Sequence, residues 1–276
     1  MKDNTAQRLN NAPRVSVIMT VYNAEEYLEQ SISSVLRQDF DDWELIIVEN
    51  GSEDHSRRIL ERFHDQRIRI FYLPKNIGRT PALNLSLSKA RSPFIAVLDA
   101  DDIAEDSRLR KQYAFLEKNT NIGLVGSWAK FIDEHGNQIG EKISPTSHEE
   151  ILGLCASVNP IVHSSVMYRF DAIRSIGFYD ETFVYAQDFR MISKLAVISR
   201  LAIIPEFLCC WRSVNTSMTK SSQFKMTRFE DEARVFRDLA KIGTFKGIKR
   251  VQSFKKRFIL GLLIMYHKSL ATKFFE

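Results

Sequence analysis

Four short, nearly unbroken apolar runs punctuate the first part of the chain: VSVIMTV (15–21), ELIIVEN (44–50), IRIFYL (68–73) and FIAVL (94–98). Their length and β-branched content predict buried strands. The segments between them have a different period. Within 24–38, apolar residues recur at Tyr27, Leu28, Ile32, Val35 and Leu36, which predicts a helix with one apolar stripe. Shorter helices are predicted over 57–63 and 81–90, the latter with Leu83, Leu87 and Ala90 on one face. Strands without polar alternation, separated by helices, imply a parallel sheet covered on both faces.

After residue 107 the pattern loosens. A helix is predicted over 107–118, then a hairpin from GLVGSWAKFID (123–133) through EHGNQ (134–138). A helix over 147–154, a strand at IVHSSVMY (161–168) and a helix with apolar face Phe189, Ile192 and Leu195 follow. The expected organisation is α/β: a flexible leader (1–13), a Rossmann-like half (14–106), a mixed second half of the same domain (107–222) and a basic helical appendage (223–276).

Polar clusters mark the ends of three strands: Thr20-Val21-Tyr22-Asn23, Glu49-Asn50-Gly51-Ser52 and Asp99-Ala100-Asp101-Asp102. In open parallel sheets these carboxyl ends share one edge, where ligands bind. Carboxylates crowded there need a cation to offset repulsion and desolvation. An oxygen-only ligand set suits Mg²⁺ or Mn²⁺, which commonly bridges to substrate phosphates. A helix beginning near Ser107 would also favour Asp102 and Asp106 at its N-terminus, so Asp102 has two readings, but this does not reach Asp99.

Composition narrows the picture. With 276 residues, 44% apolar and 26% charged, the chain can bury a sizeable core. Its net charge of +5 is uneven: from Lys241 onward nine Lys/Arg face one acid, Glu276, leaving the preceding residues at −3. Basic charge confined to a tail, with no accompanying motif, argues against nucleic-acid binding. Cys155, Cys209 and Cys210 have no metal-like spacing, and a reduced, cytoplasmic setting is expected. The polar N-terminus lacks a signal-peptide core, and FILGLLIMY (258–266) is shorter than the roughly 20 residues of a membrane span. The tail interleaves Lys/Arg with Phe, Ile and Leu. It suits peripheral contact with an anionic membrane, at its inner face, or packing on the domain.

The stretch "VSVIMTVYNAEEYLEQSISSVLRQDFDDWELIIVENGSED", followed by "NIGRTPALNLSLSKA" and "FIAVLDADD", resembles the nucleotide-sugar half of the family 2 inverting glycosyltransferases with the GT-A fold. The resemblance implies Asp101 as direct metal ligand, with Asp99 at the ribose or the ion's water shell, and Mn²⁺ or Mg²⁺ as the ion. It places Thr20, Tyr22 and Asn23 beside the nucleobase. Glu49, Asn50 and Ser52 match a pattern usually written Asp-Asp/Asn-Gly-Ser. Asn50 stands where a carboxylate often accepts the uracil N–H; its amide can accept and donate. A UDP-sugar is the first expectation, with dTDP- and GDP-sugars as alternatives. Gly78 would allow close backbone approach to the donor and Arg79 would pair with a phosphate. Ala100 and Arg212 complete the expected donor contacts.

The resemblance also implies an acid at the start of a helix as general base. "FVYAQDFRMISKLA" (183–196) puts Asp188 there, with Gln187 in place of a common Glu; Asp180 and Glu181 are rivals. His163 reads as a buried, hydrogen-bonded histidine beside the acceptor pocket. In "CWRSVNTSMT" (210–219), Trp211, Arg212 and Ser217 fit a motif that closes over the diphosphate, and Val214 replaces a frequent His; Lys220 is a further phosphate candidate. The implied activity is transfer from a nucleoside-diphosphate sugar to a glycan or lipid-linked acceptor in cell-surface polysaccharide synthesis. The alternative is an inactive relative that binds the nucleotide sugar. A dehalogenase-like phosphatase would carry its D-x-D after the first strand, and a sugar nucleotidylyltransferase would want a Gly-rich basic first loop.

Overall fold

The computed structural model describes residues 12–155, 158–214 and 225–241. Its centre is a nine-stranded sheet. Strands β1 (Val15–Val21), β2 (Trp43–Glu49), β3 (Ile68–Tyr72) and β4 (Phe94–Val97) form a parallel block in the order β3-β2-β1-β4. Helices α1 (Leu28–Leu36), α2 (Ser56–Leu60) and α3 (Arg79–Lys89) connect them. Period-2 alternation sends Ile18, Ile46, Ile95 and Val97 into one apolar core, and Val17, Met19, Leu45, Ile47 and Ala96 into the other. Both faces being covered explains the continuous apolar runs.

The second half extends this sheet with mixed polarity. Strand β5 (Ile103–Ala104), helix α4 (Arg108–Lys118), strands β6 (Ile122–Ile132) and β7 (Gln138–Lys142), and helix α5 (His148–Cys155) come next. Then follow β8 (Met167–Arg169), α6 (Phe170–Ser175), α7 (Gln187–Ile198), β9 (Arg200–Arg212) and α8 (Lys225–Lys241). Strand β8 runs antiparallel to β4 and β6, whereas β9 runs parallel to β6. The sheet continues as β4-β8-β6-β9-β5, with β7 on β6 as a hairpin.

Two expectations change. Residues 161–168 are not one strand: His163–Ser165 is a 3₁₀ turn before the short β8. Ser165 returns both its N–H and its Oγ–H to the Val162 carbonyl, and Ser164 Oγ accepts the Asp99 N–H at 3.0 Å. Serine side chains bonding nearby backbone compete with strand pairing in this way. Strand β9, which the apolar pattern did not single out, is 13 residues long despite Pro205. The register with β6 jumps from Ser127↔Ile204 to Trp128↔Phe207, so Pro205 and Glu206 bulge where no ladder N–H is needed. Helix α8 packs on α7 through Phe236 against Phe189, ring centroids 5.4 Å apart. No helix among the described residues is long and apolar enough to cross a membrane. The leader up to residue 11, Ser217, Lys220 and the basic tail after Lys241 lie outside the described residues.

Candidate active site

The ends of β1 and β2 are stitched into one polar edge. Asn50 N–H donates to the Val21 carbonyl at 2.7 Å, and Asn23 N–H donates to Ser52 Oγ at 3.1 Å. Asn23, at φ 49°, accepts the Glu53 N–H on its Oδ1. Gly51 has φ 72°, and a Cβ there would lie 2.4 Å from the Lys75 backbone, so only glycine lets the two loops approach. Thr20, near the end of the otherwise buried β1, is half-buried, and the Tyr22 ring is exposed at this edge.

Asn50 is buried and engaged by the loop after β3. Its Oδ1 accepts the Ile77 N–H at 3.0 Å, and its Nδ2 donates to Asn76 Oδ1 and the Gly78 carbonyl. It therefore shapes the Asn76–Gly78 loop. Two residues read from the sequence as donor contacts have supporting places instead. Glu49 is fully buried, accepting from the Ser52 N–H and from Arg57 Nε. Arg212 is also buried, its backbone N–H on Asp102 Oδ1 at 2.7 Å. Its guanidinium donates to the carbonyls of Asp101, Asp133 and Glu134 and to Gln30 Oε1, and lies 4.4 Å from the Tyr27 ring centroid. Physically, a buried guanidinium needs many acceptors, and these backbone carbonyls supply them.

The acidic loop after β4 is held from beneath. Buried Arg108 donates to the carbonyls of Val97 and Val166, and Ser31 Oγ donates to the Ala100 carbonyl at 2.8 Å. The three acids separate. Asp99 takes Arg79 Nη2 at 2.7 Å from both carboxylate oxygens. Burial raises its pKa, but Arg79 and His163 outweigh this and hold it well below the usual carboxylate range. Asp101 is pushed up to about 6 by burial and by the charge of Asp99. Asp102 is buried, and burial with its acidic neighbours raises it well above the ordinary value. Among the described residues its Oδ2 has no hydrogen-bond partner. It is not the helix cap, since Ser107 precedes α4.

Arg79 links this loop to the second half. It is 3.3 Å from His163 Nδ1, and His163 Nε2 is 2.7 Å from the Tyr179 hydroxyl. With the Gln187 amide oriented to satisfy both of its atoms, its oxygen accepts Arg79 Nε at 3.3 Å. Asp188 follows in the first turn of α7, where the helix dipole favours a carboxylate, and Asn159 Nδ2 donates to its Oδ2 at 2.8 Å. Arg79, Asp99, His163, Gln187 and Asp188 all line one open cavity of about 250 Å³. The rivals face elsewhere: Asp180 caps the Thr182 turn and Glu181 accepts from Asn84.

Residues without a sequence signal complete the cavity: Phe131, Lys142, Asn159 and Tyr185, beside Trp211. Asn159 lies two residues before the IVHSSVMY run that holds His163, and that neighbourhood was the available signal; Lys142 lies among scattered hairpin charges. Thr20, Tyr22, Asn50 and Asp101 do not line this cavity. For a divalent ion, the described residues contain no cluster of three or more His, Cys, Asp or Glu. The orphaned Asp102 Oδ2 and the hard oxygens at 101–102 fit a cation held by one or two carboxylates and completed by substrate phosphates.

The chain resembles known proteins in both sequence and fold. The chain is 31% identical over 281 residues to an uncharacterised glycosyltransferase of Haemophilus influenzae, covering 96% of this chain and 84% of that one. It is 30% identical to the Escherichia coli UDP-Glc:alpha-D-GlcNAc-diphosphoundecaprenol beta-1,3-glucosyltransferase WfgD, covering 76% and 81%. Among solved structures, it superposes on S. aureus TarS 1-349 in complex with UDP-GlcNAc with a TM-score of 0.69 at 20% identity, over 91% of this chain and 71% of that one. The mannosyltransferase PcManGT of Pyrobaculum calidifontis, in complex with GDP-Man and Mn²⁺, gives 0.64 at 18%, over 91% and 75%. These likenesses are to the GT-A fold. Residues 16–177 match the family described as Glycosyl transferase family 2, and the chain belongs to that family.

Proposed function

We propose that the protein is a metal-dependent inverting glycosyltransferase. It moves a sugar from a nucleoside-diphosphate sugar, a UDP-sugar first, to a hydroxyl of a glycan or lipid-linked acceptor. The observation that carries this reading is that Asp188 and the Arg79–Asp99 pair line one cavity although they come from opposite halves of the fold. Relatives in teichuronic acid, O-antigen and amylovoran biosynthesis support a role in cell-surface polysaccharide assembly.

In this reading Asp188 is the general base. Asn159 fixes Oδ2 and the carboxylate takes the acceptor's hydroxyl proton as that oxygen attacks the anomeric carbon. The new C–O bond forms opposite the breaking bond to the diphosphate, so a single displacement inverts the anomeric centre. Asp101 would hold the divalent ion, with Asp102 beside it; the ion would neutralise charge on the departing diphosphate. Arg79 orients Asp99 toward the donor and, through Gln187, ties it to the base helix. Tyr22, Thr20, Asn23 and the loop shaped by Asn50 frame the nucleobase.

A thermal-shift panel of UDP, dTDP and GDP with and without Mn²⁺ tests donor class and metal together. Stabilisation by one diphosphate that requires Mn²⁺ is expected. Stabilisation by none would contradict a nucleotide-sugar site, and stabilisation without transfer would favour the inactive relative.

A further inference from the structure

We propose that Lys142 is an anion site in the acceptor part of the cavity, and that the acceptor therefore carries a phosphate close to its reacting hydroxyl. This rests on the glycosyltransferase reading above. Lys142 ends β7 and lines the cavity. Register places it opposite Ala129 and Phe131 opposite Gly140 on β7, while Phe131 also pairs with Trp211 on β9. Ala129 and Phe131 project to one face of β6, so Lys142, Phe131 and Trp211 share a wall.

The chemistry of this wall is incomplete. Among the described residues no carboxylate lies within 4 Å of Lys142 Nζ, whose one protein partner is the Asn159 carbonyl at 3.4 Å. Burial lowers its pKa with no neighbouring acid opposing the effect. Among the described residues, the other Arg or Lys on the cavity wall is matched: Arg79 faces Asp99. A partly buried ammonium without a counter-charge is unfavourable until an anion arrives. A compact ammonium suits phosphate as a point charge, whereas planar recognition of a carboxylate favours arginine.

Asn159 sets the spacing. Its carbonyl meets Lys142 and its side-chain amide meets Asp188, so one residue joins the anion site to the base. Phe131 and Trp211, in edge-to-face contact with ring centroids 5.1 Å apart, offer an aromatic wall against which a sugar face can lie. Such a phosphate belongs either to a soluble sugar phosphate or to a lipid carrier. Ile143 and Val158, the chain neighbours of Lys142 and Asn159, are exposed and would suit the second.

The test is a binding titration on the full chain in metal-free buffer, with glucose 1-phosphate and with phosphatidylcholine vesicles doped with a polyprenyl phosphate. Wild type should bind at least one probe saturably; Lys142→Ala should weaken that binding roughly tenfold or more, and Lys142→Arg should restore most of it. Saturation by glucose 1-phosphate identifies a soluble ester, and saturation by the doped vesicles alone identifies a lipid carrier. No saturable binding, or binding equal in wild type and Lys142→Ala, overturns the proposal. A parallel UDP and Mn²⁺ titration on Lys142→Ala separates the two readings: its survival leaves the donor site standing when the phosphate site fails.

Discussion

Asn159 donates its side-chain amide to Asp188 Oδ2 at 2.8 Å, across 29 residues of sequence. Hydrogen bonds to charged groups contribute about 1.5–3 kcal/mol. Asn159→Ala should therefore lower kcat about ten- to a hundredfold through misplacement of the base. The donor dissociation constant should stay within about twofold, because Asn159 lies on the acceptor side. Steady-state kinetics beside donor titration check this split.

The Arg79–Asp99 pair predicts a strong coupling. Asp99 is stabilised in its charged form by Arg79, so Arg79→Ala leaves a partly buried carboxylate without its counter-charge. The expected loss is about 1.5–3 kcal/mol of stability. Arg79→Ala/Asp99→Asn should recover much of it, giving non-additive changes in denaturant midpoint. Additive losses would show that the pair is not coupled.

The fold was largely legible because its first half is regular. Strands β1 to β4 lie within a residue of the apolar runs, as expected when both faces are buried. Helix α1 begins at Leu28, later than the stripe from Ala24, because 25–27 form a turn tied by Tyr27 N–H to the Ala24 carbonyl. The second half was less legible because side chains override the pattern there. Ser164 and Ser165 break the expected strand, and Pro205 disguises β9. In the site, Asp188, Asp99 and Arg79, all singled out in the sequence, line one cavity. Glu49 and Arg212 turn inward because their charges are satisfied by backbone and by neighbouring side chains, which spacing alone does not reveal. Lys142 had no local signal, since only the hairpin register carries it to the cavity.

Asp231 ties helix α8 to the segment that carries the base. Its Oδ2 accepts the backbone N–H groups of Val184 and Tyr185 at 2.9 and 2.8 Å, and of Ala186 at 3.4 Å, just before α7. Asp231→Ala should cost about 1–3 kcal/mol and reduce kcat, with Asp231→Asn intermediate. Hydrogen exchange at residues 184–186 should accelerate in Asp231→Ala; unchanged exchange would refute the link.

Glu44 predicts a pH dependence remote from the site. It is buried, which raises its pKa, but hydrogen bonds from Ser16, Arg69 and Arg91 outweigh this and lower it overall. A folded-state pKa below the unfolded one stabilises the protein above the ordinary Glu value. That contribution is lost as pH falls through the folded pKa. Glu44→Gln should be clearly less stable than wild type at pH 7, and the gap should narrow below about pH 4. Denaturant titrations at both pH values measure it.

The general-base assignment is tested most directly by Asp188→Asn with the donor selected by the diphosphate panel. The substitution keeps size and the Asn159 contact distance while removing the proton acceptor. Donor affinity in the presence of Mn²⁺ should match wild type, and transfer should fall by about a hundredfold or more. Transfer at the wild-type rate would contradict the assignment of Asp188 as the base.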